Sequence, residues 1–167
     1  MTVPVAREKL SYAHDIGLVN ALEKMYNLDF ARTFPIIIVR HGKAVPASSW
    51  DGPDTLRPLL HRGHEQAKAI AGGIASYAPS KIYTSTATRC IQTITPLASK
   101  FQIRVKESRK LSQERWSADG ENARKVIARR LARGVPVVLC SHGPVIPQLV
   151  EELVAQTGTT SDATFRD

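Results

Sequence analysis

Length, composition and charge describe one globular domain. The 167 residues, 43% of them hydrophobic, suffice for a single domain with a sizeable core, and a second full domain is not expected. No run of eighteen apolar residues occurs, and charged residues stand close to Met1, so we expect a soluble, cytoplasmic protein rather than a membrane or secreted one. The formal net charge of +8 indicates an anionic partner, either a small phosphorylated molecule or a nucleic acid.

The two cysteines indicate buried, reduced thiols. Cys90 and Cys140 are far apart in the sequence and have apolar neighbours, which is not the pattern of a disulfide framework. A cysteine phosphatase needs an arginine six places after its nucleophile, and those places hold Pro96 and Ile146. The sequence therefore excludes that chemistry.

The first predicted element is a helix from about Ala13 to Met25, where Ile16 and Val19 recur at helical spacing. The pattern ends before Pro35. We interpret residues 1–34 as a helical leader or connector and residues 35–167 as the main domain.

From Pro35 onward, short apolar runs rich in β-branched residues alternate with longer amphipathic stretches. The runs predict four buried strands: Ile36–Val39, Lys81–Thr84, Ile103–Lys106 and Val135–Cys140. The stretches predict four helices: Gly63–Tyr77, Thr86–Lys100, Glu121–Arg133 and Pro144–Gln156. This alternation predicts an α/β fold with a mainly parallel central sheet and helices on both faces.

Two polar stretches need a separate interpretation. Gly42–Pro58 is rich in proline and glycine and predicts a loop over the carboxyl edge of the sheet. Lys125, Arg129 and Arg133 recur at every fourth position of a predicted helix. A solvated helix face explains this row better than a nucleic-acid stripe, although the sequence leaves both open.

Histidines follow two of the predicted strands. His41 comes after the first strand and His142 after the fourth, and in an open parallel sheet such residues gather at one crevice. Arg40 precedes His41, and Arg89 lies in the first turn of the helix that follows the second strand. Because a guanidinium at a helix start can bind two phosphate oxygens, these four residues predict a phosphate pocket.

Within this pocket, we predict that His41 is the nucleophile. Attack requires a neutral imidazole, and the neighbouring guanidinium groups push its pKa below the free value of about 6.5. The same cations bind phosphate and stabilise the charge of its transfer.

Transfer to histidine also needs a proton donor for the leaving group. Glu114 lies in the loop after the third strand and is the candidate, with Glu107, Asp119 and Glu121 as nearby competitors. His61 and His64 have no further ligand cluster at metal-site spacing, so no metal or other cofactor is predicted.

These motifs together resemble the histidine phosphatase superfamily, also called the phosphoglycerate-mutase-like group. The resemblance covers Ile36 to about Val154 and rests on four pieces of sequence: Val-Arg40-His41-Gly42-Lys-Ala; Asp54-Thr-Leu-Arg57-Pro-Leu with Arg62-Gly63 and Gln66-Ala67; Thr84-Ser85 with Arg89 and Gln92-Thr93; and Ser141-His142-Gly143. The form of the first two resembles the small branch that includes SixA. The nearest likeness is the phosphatase half of actinobacterial proteins that join a Nudix hydrolase to a histidine phosphatase domain.

The resemblance implies a three-layer α/β/α sandwich, no metal requirement and His41 as the phosphorylated residue. Arg40, Arg89 and His142 match the other phosphate-pocket positions of the family. It also implies small nucleotide-like substrates or phosphoproteins, and neither a nucleic-acid polymer nor a membrane as partner. The residues expected to contact substrate are Gly42, Lys43, Arg57, Ser85 and Gly143.

Two differences from the family stand out. The Nudix signature is absent, so metal-dependent pyrophosphohydrolase activity is not expected. The sequence also reaches Asp167 without the terminal strand usual in such domains, so we expect either a missing edge strand or an edge covered by another chain, as in a homodimer. A non-catalytic phosphate-binding module is therefore the alternative to an enzyme, and a phosphomutase ranks third.

Overall fold

The computed structural model describes residues 2–28, 30–116 and 120–158. It divides into two compact units, Met1–Phe34 and Pro35–Asp167. Within the described residues, no helix combines the length and apolar character that crossing a membrane requires.

The first unit consists of two helices, α1 (Val3–Lys9) and α2 (Ala13–Asn27). The helical spacing in the sequence predicts α2, whereas it gives no sign of α1. Arg7 of α1 donates a hydrogen bond to Asn20 Oδ1 of α2 at 2.8 Å and forms an ion pair with Glu23. Short helices depend on tertiary contacts more than on their own propensity, so a local pattern cannot reveal α1.

The second unit contains one parallel sheet in the order β1-β4-β2-β3. Its strands are β1 (Ile36–Arg40), β2 (Lys81–Thr84), β3 (Val105–Glu107) and β4 (Val137–Ser141). Each overlaps a predicted strand; β2 has the predicted ends, and no end of the other three differs by more than two residues. As far as the described residues extend, β1 pairs with β4 alone, and the cover of its other edge stays a prediction.

Four helices cover the two faces of the sheet: α3 (His61–Ala75), α4 (Thr88–Phe101), α5 (Glu121–Leu131) and α6 (Ile146–Thr157). Strand β4 is buried throughout, and its side chains alternate between the two cores. Val138 packs with residues of α3 and α4, whereas Leu139 packs with residues of α5 and α6. The predicted α/β sandwich is confirmed.

The stretch predicted as a loop folds back on itself. It contains two short 3-10 turns, Ala47–Ser49 and Asp54–Leu56, and one antiparallel bridge between Ala44 and Leu59. Leu60 N–H donates to the Lys43 carbonyl at 2.9 Å. The segment after His41 is therefore held against the start of α3.

Gly63 permits this close approach. A Cβ atom at Gly63 would lie 2.2 Å from the Lys43 carbonyl oxygen, which is part of the backbone and cannot rotate away. Gly72 in the same helix has no atom within 4 Å of its Cβ position. The first glycine is thus required by packing, and the second is not.

We predict opposite effects for alanine at these two positions. Gly63→Ala should lower the free energy of unfolding by roughly 1–3 kcal/mol, because the loop and α3 must separate. Gly72→Ala should raise it by about 0.5–1 kcal/mol, because alanine favours the helix. Urea unfolding of both variants measures this, and equal stability of the two would contradict the packing argument.

Candidate active site

The register of β1 against β4 places the two histidines side by side. Arg40 pairs with Ser141 at the carboxyl ends of the strands, and the His41 amide donates to the Ser141 carbonyl at 3.1 Å. The rings of His41 and His142 follow directly, with centroids 5.3 Å apart and planes at 67°. The structure therefore brings the two predicted histidines together.

His41 has a fixed tautomer. Its Nδ1 lies 2.8 Å from the Gly42 carbonyl oxygen, which can only accept, so Nδ1 carries the proton and Nε2 keeps its lone pair. Burial lowers the pKa of His41, and the electrostatic effects of His142, Arg89 and Arg40 lower it further. Although the hydrogen bond to Gly42 opposes them, the pKa falls to about 4. At neutral pH the ring is uncharged with a free nitrogen.

His142 is fully buried and held at both ring nitrogens. Arg89 Nη2 lies 3.3 Å from Nδ1, and because arginine only donates, Nδ1 accepts. The ring proton then sits on Nε2, which donates to Ser85 Oγ at 2.8 Å. Ser85 Oγ in turn shares a 3.0 Å hydrogen bond with Ser112 Oγ. This buried chain fixes the orientation of His142.

Arg89 is also fully buried, and Asp54 occupies both ends of its guanidinium. Nη1 donates to the Asp54 carbonyl at 2.6 Å, and Nη2 donates to Asp54 Oδ2 at 2.8 Å. The second carboxylate oxygen, Oδ1, accepts from Arg57 Nε at 2.8 Å. Asp54 thus bridges two arginines that the sequence predicts as site residues.

Asp54 is the residue of this site that the sequence-based prediction missed. Its signal was the spacing of Asp54 and Arg57, since residues three apart in a 3-10 turn lie on one side. Burial raises the pKa of the Asp54 carboxyl, but the hydrogen bonds and charges of Arg57 and Arg89 outweigh this and hold the pKa below its usual value. Asp54 is accordingly an anion and cannot donate a proton in this arrangement.

A cleft of about 430 Å³ opens in front of His41. Its lining includes five residues predicted from the sequence: Arg40, His41, Gly42, Lys43 and Arg57. Among the described residues of its lining, the charged side chains are all cationic, which suits an anionic ligand. Gly143 lies at the edge of this group, where its Cβ position would be 3.5 Å from the guanidinium carbon of Arg40.

The structure does not bring Glu114 into this cleft. Glu114 is exposed and lines two shallow depressions, one shared with Asp54 and Thr55 and one with Thr86. Of its competitors, Glu121 forms an ion pair with Lys125, and Asp119 lies outside the described residues. The proton donor therefore stays a prediction.

No metal cluster accompanies these groups in the described ranges. Across residues 2–28, 30–116 and 120–158, no three His, Cys, Asp or Glu side chains come together in a way that could hold an ion. What the site offers is a neutral imidazole facing a cationic cleft, which can attack a phosphorus atom.

Comparison with known proteins identifies a family for this chain. The model of the histidine phosphatase superfamily (branch 1) matches residues 36–118. The 8-oxo-(d)GTP phosphatase of Mycolicibacterium smegmatis is 32% identical over 151 residues, which are 90% of this chain and 46% of that protein. The chain thus spans about half the length of this curated relative.

Solved structures share the fold. A protein described as the phosphohistidine phosphatase SixA of Agrobacterium tumefaciens has a TM-score of 0.59 and 26% identity, covering 75% of this chain and 80% of its own. SixA in complex with tungstate has a TM-score of 0.59 at 21% identity, covering 71% and 75%, and shows likeness in fold alone. The chain therefore belongs to the histidine phosphatase superfamily.

Proposed function

We propose that this chain hydrolyses phosphoric monoesters through a covalent phosphohistidine on His41. The observation that supports this most directly is the free lone pair on His41 Nε2, which faces a cleft lined by cations. In the first step Nε2 attacks phosphorus, the nitrogen–phosphorus bond forms and the ester oxygen leaves with the electron pair of its bond. Water then attacks the same phosphorus, the nitrogen–phosphorus bond breaks and inorganic phosphate departs.

The cationic side chains of the cleft bind the phosphate group and stabilise it during transfer. Arg40, Lys43 and Arg57 attract the dianionic phosphate and balance the charge that spreads over its equatorial oxygens during transfer. His142 stands beside the attacking ring, and its hydrogen bonds with Ser85 and Arg89 hold it in that position. No metal ion takes part in the proposed reaction.

Glu114 is proposed as the proton donor for the leaving group. It lines a depression with Asp54 and Thr55, and none of the residues of that depression lines the His41 cleft. A substrate served by Glu114 must therefore extend from His41 beyond the cleft lining. This favours a leaving group larger than a simple alcohol.

A nucleotide-like phosphate is the substrate class we favour. The name of the Mycolicibacterium relative supports a nucleotide, and the net charge and cationic cleft support a phosphate-rich anion. The SixA likeness favours a second candidate, a phosphohistidine protein, whose leaving imidazole needs less help from an acid. We expect both kinds of substrate to be encountered in the cytoplasm.

The direct test is turnover of an aryl phosphate in the presence of a chelator. Wild type should release phosphate, and His41→Ala should lose at least about a thousandfold in kcat, because no other described side chain offers a free nitrogen in the cleft. His64→Ala, an exposed histidine of α3, is the matched control and should retain full activity.

A trapping experiment separates the enzyme from a non-catalytic module. Alkaline quenching during turnover should capture a phosphoenzyme that is stable in base and labile in acid, and that His41→Ala does not form. Phosphate binding without any phosphoenzyme would favour the binding module instead.

A screen over nucleotides, phosphosugars and phosphohistidine peptides then identifies the substrate class.

The protonation of His41 gives a second prediction. With its pKa near 4 rather than 6.5, the native ring should stay neutral as the pH falls to about 5 and gain its proton only around pH 4. In the unfolded chain the ring binds its proton near 6.5, so this histidine makes the fold less stable as the pH falls through that interval. A carbon-13 titration of the histidine rings, assigned with His41→Ala, measures the value. A midpoint above about 6 would be incompatible with the proposed environment.

The bridge from Asp54 to two arginines gives a third prediction. In Asp54→Asn, Arg89 loses its charged anchor and its position, so kcat should fall roughly tenfold or more. Inorganic phosphate should inhibit this variant at lower concentration than wild type, because a competing negative charge has been removed. Asp51→Asn, an exposed aspartate in the same loop, should change neither value. If kcat were unchanged or phosphate bound more weakly in Asp54→Asn, the positioning role would be refuted.

A further inference from the structure

A second cavity lies away from the His41 cleft, between the β2–β3 edge of the sheet and α5. Its volume is about 190 Å³, and the buried side chains of Leu111, Val126 and Leu139 contribute to its lining. Tyr83 of β2 adds an aromatic ring. None of its lining residues also lines the His41 cleft.

The polar part of this cavity is strongly cationic. One carboxylate, Glu107, stands among five positively charged side chains: Lys106, Lys110, Lys125, Arg129 and Arg130. Lys125 is paired with Glu121. In the part of the chain that the structure describes, no carboxylate lies within ion-pair distance of the other four cations. Their charges remain available to a ligand.

Arg130 is built into the wall rather than extended into solvent. Its guanidinium carbon lies 4.0 Å from the centroid of the Tyr83 ring, and its Nε is buried without a hydrogen-bond partner among the described residues. Burial raises the pKa of the Tyr83 hydroxyl, but the interaction with Arg130 and the charges of Lys106 and Arg133 outweigh it and lower the pKa. The lowered pKa indicates a positive electrostatic potential at the Tyr83 ring.

This surface is more than a row of charges on a helix. The spacing of Lys125 and Arg129 in the sequence favours a solvated face, and in the structure both residues are exposed, but they also line a partly open cavity with an apolar floor. An extended polymer would need an open groove that follows its backbone. A cavity of about 190 Å³ is smaller than a drug-sized pocket of roughly 300–1,000 Å³, so it suits a compact molecule.

We propose that this cavity is a second binding site, which takes a small organic anion with a ring and one or two phosphate groups. Tyr83 and Val126, which keep some exposed surface above the fully buried Leu111 and Leu139, contact the ring of the ligand. The cations at the rim, Lys106, Lys110 and Arg129, bind its phosphate oxygens. The site lies at the β3 side of the sheet, whereas His41 follows β1 at the opposite side, so both can be occupied at once.

The test uses nuclear magnetic resonance with benzylphosphonate, a compact ring-bearing analogue of a phosphate ester whose carbon–phosphorus bond a phosphatase cannot hydrolyse. The Tyr83 ring and the Arg130 Nε–H report on this cavity, and the His41 ring reports on the catalytic cleft. Titration should shift the Tyr83 and Arg130 signals with saturation. The double variant Lys106→Ala, Arg129→Ala should weaken the affinity read from these signals at least about tenfold, since it removes two charged hydrogen-bond donors.

Controls separate this site from catalysis and from general charge effects. The double variant Lys100→Ala, Arg104→Ala removes one lysine and one arginine that do not line the cavity, and it should leave the affinity unchanged. The affinity read from the His41 ring should be the same in all three proteins. Inorganic pyrophosphate should bind more weakly than the analogue, because it lacks the ring.

Three results would overturn the proposal. The first is a titration in which only the His41 ring signals shift. The second is equal affinity in wild type and in the Lys106→Ala, Arg129→Ala variant. The third is tighter binding of a short single-stranded oligonucleotide through the same signals, which would assign the surface to nucleic acid. Loss of activity in His41→Ala bears on the catalytic proposal alone and leaves this one standing.

Discussion

The parallel pairing of β1 with β4 is the constraint on which the site depends. These strands are far apart in the sequence, and only their register brings His41 and His142 to neighbouring positions at one edge of the sheet. A slip of one residue would turn every side chain of β4 to the opposite face, so that Val138 and Leu139 would each enter the core that is packed around the other. Misfitting a side chain in a packed core costs roughly 1–3 kcal/mol, so the two hydrophobic cores fix the relative position of the histidines.

Sequence reasoning succeeded where the signal was local. Buried parallel strands are continuous apolar runs, and histidines that directly follow two of them could be assigned to one crevice without any coordinates. The contact between Asp54 and Arg89 could not be predicted in this way, because it joins a loop to a helix 35 positions later and depends on how that loop folds. Helix α1 was missed for the same reason, since its partners lie in α2. The distance of Glu114 from the cleft lining likewise depends on the path of a loop.

Charge is distributed unevenly around this sheet. Cations concentrate in the cleft at the end of β1 and again in the cavity beside β3, with little carboxylate at either place. Such concentration creates local positive potential that attracts anions from solution before any contact forms. The net charge of +8 therefore reflects two focused regions more than a uniformly basic surface.

Asp54 holds Arg89 through its carbonyl and its carboxylate, and this has a consequence for turnover. In the proposed reaction, a phosphate that binds Arg89 exchanges places with the Asp54 carboxylate, and a departing phosphate leaves behind an arginine that the carboxylate can bind again. Such exchange favours doubly charged oxyanions over singly charged ones, because only the former outcompete a carboxylate. It also speeds release of the phosphate product. We therefore expect Arg89 to return to Asp54 after each turnover without a separate conformational change.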